Sequence, residues 1–328
     1  MLTIQETVQS LYAIPGLQVQ SCAALAPLTR FGLGGPADIF AETADPAAFI
    51  TALETARQSG LPHTMIGGGS NLIVSDGGYR GVILKFHGDR IIVESPTVNV
   101  EAGAVLQTLV DTANAQGLKG LETMTGIPGF TGAAIYGNAG AYGHSISERV
   151  AKVHFHDGTA HRTFTGEQCE FQYRESIFKR HKEWIILSAE LTLSPADRAE
   201  LEKISAGILA IRNEKYPPTM KCAGSIFKNF LLADLPPRIA AALPANVIRE
   251  GKVPSAYFLE QAGAKGLSVG DIHVASYHAN LIFNGGKGTA GDLLTLILDL
   301  KTRVYERFGI KLEEEVQYVG FASDDRLL

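Results

Sequence analysis

Three consecutive glycines, Gly67-Gly68-Gly69, followed by Ser70 and Asn71, interrupt two apolar runs, Thr64-Met65-Ile66 and Leu72-Ile73-Val74. With no Cβ at three positions in a row, backbone N–H groups can converge on a ligand that other residues would hold off. Ser70 and Asn71 add side-chain hydrogen bonds at the same place. The chemistry this suits is the cradling of a phosphate. A tight surface turn makes the same demand for glycine, so this loop alone leaves both readings open. A second cluster runs from Gly126-Ile127-Pro128-Gly129-Phe130-Thr131-Gly132 to Asn138-Ala139-Gly140-Ala141-Tyr142-Gly143, with six glycines in eighteen residues and one proline fixing φ. Such a backbone folds closely around something flat or charged. Neither cluster has the glycine spacing or the following acidic residue of a Rossmann unit, and the P-loop lysine is absent. A dinucleotide held by loops is the better reading.

Four further motifs accompany the two clusters in a fixed order. Thr29-Arg30-Phe31-Gly32-Leu33-Gly34-Gly35-Pro36-Ala37 precedes them, and Tyr173-Arg174-Glu175-Ser176, Ala223-Gly224-Ser225-Ile226-Phe227-Lys228-Asn229 and Leu312-Glu313-Glu314-Glu315-Val316 follow. Each is weak to moderate alone; six in this order, spread over nearly the whole chain, closely resemble the UDP-N-acetylenolpyruvoylglucosamine reductases. The resemblance implies an α/β (α+β) flavoprotein that completes UDP-N-acetylmuramate for peptidoglycan. A vanillyl-alcohol-oxidase (PCMH) type FAD domain in two subdomains is implied, with a C-terminal α+β domain that takes the UDP-sugar. It also implies non-covalent FAD, with Arg30, Gly67, Gly68, Gly69, Ser70, Asn71, Gly126, Ile127, Gly129 and Gly132 as its contacts, and NADPH as reductant. No histidine or cysteine sits in either glycine loop to attach the flavin covalently.

The reaction the resemblance implies makes specific demands. An enol ether conjugated to a carboxylate accepts hydride at its terminal carbon only if the charge developing on the adjacent carbon and carboxylate is stabilised, which calls for a fixed cation and a proton donor. By resemblance, Arg174 is the cation, binding carboxylate through two donors. Ser225 is the proton donor, and Glu315 orients the site and helps stabilise the enol-like intermediate. Glu313 shares the face of Glu315 in an extended segment and is the fallback, whereas Glu314 points the other way. Tyr173, Lys215, Lys228 and Asn229 are expected to meet the sugar nucleotide, UDP-N-acetylglucosamine enolpyruvate, with the lysines on its pyrophosphate. Without the order of motifs, an arginine beside a tyrosine is usually a surface ion pair, a serine after glycine a turn, and a glutamate triplet a solvated face. The alternatives are another FAD oxidoreductase of the same superfamily and an inactive paralogue that senses UDP-sugar. Retention of Arg174, Ser225 and Glu315 argues against both. The chain mixes subgroup features: the step from Arg174 to Ser225 is short, whereas that from Asn229 to Leu259 is long and holds an extra helical stretch around 238–243.

The elements that must position these residues can be read from periodicity. Residues 46–58, opening with Asp45-Pro46, predict a helix with Phe49, Ile50, Leu53 and Ala56 on its buried face. A strand at Gly81-Val82-Ile83-Leu84 follows the first glycine loop. Val98-Asn99-Val100 and a helix through Leu106, Leu109, Val110 and Ala113, ended by Gly117, open a second α/β unit. Strands at 150–155, 184–187 and 189–193 close it. Ser194-Pro195 predicts the start of a helix striped with Leu201, Ile204, Ile208 and Ile211. His278-Ala279-Asn280 is placed in an apolar strand, its histidine structural. Thr289 caps a long helix lined by Leu294, Ile297, Leu298 and Val304 and ended by Gly309, before a last strand around Val316. The expected division is 1–85 and 86–195 for the FAD subdomains and 196–328 for the substrate domain, with the last strand free to return to the FAD domain. Lys215-Tyr216-Pro217-Pro218 also signals a boundary.

Composition narrows the partners. At 328 residues and 45% hydrophobic, the chain is long enough for two or three packed units. A net charge of −5 argues against non-specific binding to nucleic acid or an anionic membrane. Three cysteines, Cys22, Cys169 and Cys222, lie without Cys-x-x-Cys spacing, which fits free thiols in a reducing compartment rather than a zinc site or disulfide framework. No basic leader and no run of about 18 apolar residues is present. A cytoplasmic monomer without metal is expected.

Overall fold

The computed structural model describes residues 2–322. These form two compact units. Within the described residues, the first comprises 2–23, 38–68 and 81–218, and the second comprises 24–37, 69–80 and 219–322.

The first unit contains two hydrophobic cores. One is built by the helices Ile4–Tyr12 and Pro46–Ser59 against a four-stranded sheet whose order is Gln18–Ala24, Pro36–Thr43, Tyr79–Phe86, His63–Met65. The second helix begins where expected because Asp45 accepts from the N–H groups of Ala47 and Ala48 at 2.7 and 3.3 Å, and Pro46 has no N–H to orphan. The other core lies on a five-stranded antiparallel sheet, in the order His161–Thr165, Val150–His156, Ile185–Thr192, Thr97–Glu101, Ile91–Glu94. Helices Leu106–Ala115 and Thr131–Tyr136 cover it. The two strands expected at 184–187 and 189–193 are one continuous strand, because Ser188 keeps the ladder by pairing with Glu101.

The second unit packs the long helix Ala290–Phe308 on the antiparallel strands Ser268–Val269, Ile272–Val274 and Ile282–Asn284. The last strand, Gln317–Val319, runs parallel to Leu72–Val74, so that stretch of the early chain belongs with the C-terminal unit. Thr289 and Asp292 form a reciprocal capping box at the helix start, and Gly309 closes it in the left-handed conformation at φ +71°. Asp76 adds a second cap, accepting from Ala290 N–H at 2.8 Å and Gly291 N–H at 2.9 Å. The extra helical stretch is real, as a short helix at Pro237–Ala241.

Several sequence expectations need correction. The helix expected from Ser194-Pro195 starts at Arg198, capped by Asp197, because Ser194 and Pro195 are used as a strand against Lys119 and Leu118. Its buried side is set by Leu201 and Ser205, the latter hydrogen-bonded to Asn114 at 2.7 Å, which turns Ile211 out to 59% exposure. That helix lies in the first unit, so the boundary expected after residue 195 falls after Pro218, at the Lys215–Pro218 signal. His278 lies between two turns and Asn280 in the second of them, ahead of the strand Ile282–Asn284 and not in it. The long helix buries Leu293, Leu296, Ile297, Leu300 and Val304; Leu294 and Leu298 sit beside that face rather than on it. Ile50 is likewise only half-buried.

Candidate functional site

In the first unit the two glycine clusters meet main chain to main chain. A Cβ on Gly68 would lie 3.1 Å from Gly129 Cα and 3.3 Å from the Phe130 ring, a tight fit that a larger residue meets only if the second loop gives by a few tenths of an ångström. Gly67 is less confined, its nearest neighbour being the Ala133 methyl at 3.6 Å. The N–H groups of Gly67 and Gly68 donate to no backbone carbonyl among the described residues. The second cluster is pinned by Gly126 N–H on Gln107 Oε1 (2.6 Å), by Ile127 N–H on the Met124 carbonyl, and by Leu106 N–H on the Gly129 carbonyl (3.0 Å). Gly132 is required for packing: its Cβ would stand 2.7 Å from that of Ala102. Just before this cluster, the Thr125 hydroxyl is buried with no hydrogen-bond partner among the described residues. Close glycine loops, two amides with no backbone acceptor among the described residues and an orphaned buried hydroxyl fit a bound dinucleotide such as FAD.

Arg174 stands at the tip of a turn in which Gln172 and Glu175 exchange backbone hydrogen bonds of 3.0 and 3.1 Å. It holds φ at +58°, a position that glycine or asparagine usually takes. Its guanidinium donates to the carbonyls of Gly140 (2.9 Å) and Asn138 (3.4 Å), while Asn138 Nδ2 donates back to the Gln172 carbonyl at 2.8 Å. Lys179 Nζ reaches the Arg174 carbonyl at 2.9 Å and Glu175 Oε1 at 3.0 Å. The tail of the second glycine cluster therefore orients the arginine, and Asn138 and Lys179 are supports that the sequence reading missed. Tyr173 lies beside it, with its ring centroid 5.2 Å from the guanidinium carbon. Lys215 closes the helix Arg198–Lys215, its Nζ 5.1 Å from the Tyr216 ring.

In the second unit, Ser225 and Glu315 lie on adjacent segments. Glu315 N–H donates to the Ile226 carbonyl at 2.8 Å and Lys228 N–H to the Glu313 carbonyl at 2.9 Å, a short antiparallel ladder with Phe227 opposite Glu314. On its other side Ser225 pairs with Leu281. The three glutamates have different surroundings: Glu313 is ion-paired with Lys228 Nζ at 2.5 Å and Glu314 with Lys301 at 3.1 Å. Lys228, one of the residues expected on the pyrophosphate, thus has a carboxylate at its head in this state. Asn229 Oδ1 accepts from Ser255 N–H at 3.3 Å. Asn71, expected on the cofactor, directs its side-chain amide to the Glu315 carbonyl at 3.0 Å, and its own carbonyl accepts from Gln317. Arg30 N–H donates to the Gly69 carbonyl at 3.0 Å. Gly69 has φ +66°, and a Cβ there would collide with the Leu28 carbonyl at 1.8 Å. Ser70 follows, half-buried.

Comparison with known proteins places the chain in a family. Residues 216–319 match the family model of the UDP-N-acetylenolpyruvoylglucosamine reductase C-terminal domain, and residues 37–163 match that of an FAD binding domain. A UDP-N-acetylenolpyruvoylglucosamine reductase of Solibacter usitatus is 62% identical over 310 residues, covering 94% of this chain and 99% of the relative. Another, from Anoxybacillus flavithermus, is 36% identical and covers 90% and 92%. The crystal structure of the reductase from Thermus caldophilus superposes with a TM-score of 0.72 at 28% identity, covering 92% of this chain and 99% of that one. The chain belongs to the UDP-N-acetylenolpyruvoylglucosamine reductase family.

Proposed function

We propose that Arg174, Ser225 and Glu315 carry the family's reaction in this chain, the NADPH-driven, FAD-dependent reduction of the enolpyruvyl group of UDP-N-acetylglucosamine enolpyruvate to UDP-N-acetylmuramate, a step of peptidoglycan precursor synthesis. FAD, held by the two glycine clusters, would supply the hydride-transfer chemistry that links NADPH to the enolpyruvyl group. The residues of the chain do the rest. Arg174 binds the substrate carboxylate through its planar fork and stabilises the charge that grows there. Ser225 Oγ–H gives its proton to the carbon next to the carboxylate and regains one from solvent. Glu315 orients the same end of the substrate. Gly67, Gly68, Gly69, Ser70, Gly126, Ile127, Gly129 and Gly132 are assigned to FAD, with Arg30 and Asn71 supporting the first loop. Tyr173, Lys215, Lys228 and Asn229 are assigned to the sugar nucleotide, which requires the Lys228–Glu313 pair to open or be shared. The observation that carries this reading is the hydrogen bond from Glu315 N–H to the Ile226 carbonyl, which sets the proposed donor and its carboxylate on neighbouring segments of one ladder.

We place the enzyme in the cytoplasm on its cysteine pattern; separately, no helix among the described residues is long and apolar enough to cross a membrane.

Single-turnover kinetics test the assignment. Ser225→Ala is expected to bind FAD and be reduced by NADPH at close to the normal rate, while reduction of the enolpyruvyl substrate falls by about 10²-fold or more, the usual size of a general-acid contribution. Ser225→Cys, which retains a donor, should recover part of the rate. A Ser225→Ala enzyme that reduces substrate normally would leave Ser225 as a turn residue and remove the acid role.

A further inference from the structure

The motif His278-Ala279-Asn280 has no part in the chemistry above, yet it lies against the segment that carries Ser225. Phe227 pairs with Glu314 through its neighbours, so its own N–H and C=O face away from that ladder, into the interior, where Phe227 is 1% exposed. Among the described residues no strand lies there to receive them. The side-chain amide of Asn280, itself 2% exposed, takes the place of one: its Oδ1 accepts from Phe227 N–H at 2.9 Å and its Nδ2 donates to the Phe227 carbonyl at 2.8 Å. The Asn280 carbonyl accepts from Ile226 N–H at 3.3 Å. Asn280 is fixed in turn, its N–H donating to His278 Nδ1 at 3.3 Å, and Leu281 N–H donates to the His278 carbonyl at 3.0 Å. Upstream, Gly224 at φ +76° has open space where a Cβ would be, and the chain is next held at Lys221, whose carbonyl accepts from Asn284 N–H at 2.9 Å.

We infer that Asn280 is a positioning residue for the proton donor: by holding both polar groups of Phe227 it fixes the Ser225–Phe227 segment, and with it the place of Ser225 Oγ. A carboxamide is the one short side chain that offers a donor and an acceptor side by side, as a paired strand would. Aspartate would set a buried carboxylate against the Phe227 carbonyl, serine would keep one uncharged polar group, and alanine would lose both donor and acceptor. The inference rests on Ser225 being the acid, and a displaced acid slows proton transfer without altering hydride uptake from NADPH.

The test is a double-mutant cycle on the FAD-loaded enzyme with Ser225→Ala and Asn280→Ala, following the two half-reactions separately. Asn280→Ala alone should keep its rate of reduction by NADPH, lose about 10²-fold in reduction of the enolpyruvyl substrate with little change in KM, and show a larger solvent deuterium isotope effect on that step. In the Ser225→Ala background the same replacement should cost less than about threefold, because the group it positions is gone. Full additivity with a slow Ser225→Ala enzyme would overturn the positioning role while leaving Ser225 as the acid. A normal rate for Ser225→Ala would overturn the acid assignment and this inference together. Equal loss of both half-reactions in Asn280→Ala would make Asn280 a general support of the fold and overturn the inference. Should Asn280→Ala fail to retain FAD, Asn280→Ser, which is uncharged and keeps one polar group, replaces it in the same cycle, with a smaller loss expected and the same non-additivity required.

Discussion

The side-chain amide of Asn71 donates to the main-chain carbonyl of Glu315 at 3.0 Å, tying the serine-asparagine end of the first glycine loop to the backbone of the glutamate 244 residues later. Asn71→Ala removes one hydrogen bond, worth about 0.5–1.5 kcal/mol. Flavin content and reduction by NADPH should be unchanged and reduction of the enolpyruvyl substrate slower by roughly two- to thirteenfold, the same energy expressed as a rate. Apoprotein on purification would instead put the Asn71 side chain on the cofactor.

Arg174→Lys keeps the positive charge and loses the planar fork. Because both residues meet the same cost at φ +58°, the exchange isolates the head group from the turn. Reduction of the enolpyruvyl substrate should fall by about 10²- to 10³-fold while NADPH still bleaches the flavin. An equal fall in both half-reactions would assign Arg174 to the cofactor or to the fold.

Gly68 and Gly67 make a matched pair. Gly68→Val forces a branched side chain against Gly129 Cα and the Phe130 ring and should yield mostly apoprotein. Gly67→Ala meets only an ordinary protein contact at 3.6 Å, so any flavin lost in it reports the close approach of the cofactor rather than a clash between the loops. The absorbance ratio of flavin to protein in the two purified variants decides it; full occupancy in Gly68→Val would mean the cofactor does not lie where these loops meet.

Burial pushes the Cys169 thiol up to about 12, whereas Cys22 is exposed and Cys222 is buried. One thiol should therefore react quickly with a thiol reagent in the native protein and all three after denaturation. Linkage gives the alkaline sign. Above the unfolded value near 9 the unfolded chain loses this proton while the folded chain keeps it, so the Cys169 contribution to stability falls as pH rises from about 9 to 12, by at most about 1.4 kcal/mol per pH unit. Chemical denaturation of the wild type and Cys169→Ala over that range should show the shallower slope in the variant.

The sequence by itself determined the chemistry and the local elements that end on punctuating residues. Thr289, Asp292 and Gly309 mark their helix because capping is decided within one turn of chain, and Asp45-Pro46 does the same for Pro46–Ser59. The order of motifs identified Arg174 and Ser225 as candidates, since residue types and their succession are properties of the chain alone. Tertiary structure decided which face of a helix is buried and which segments are neighbours. The stripe expected along Arg198–Lys215 was displaced because Ser205 meets Asn114, a contact 91 residues distant that no periodicity contains. Leu72–Val74 looked like part of the first subdomain until the last strand paired with it. Asn280 read as one residue of an apolar strand, because nothing local reveals that Phe227 has two buried polar groups in need of a partner 53 residues away. A hydrogen bond between distant segments is satisfied only once the chain has folded, so the residues that aim the chemistry, unlike those that perform it, leave little mark on the sequence.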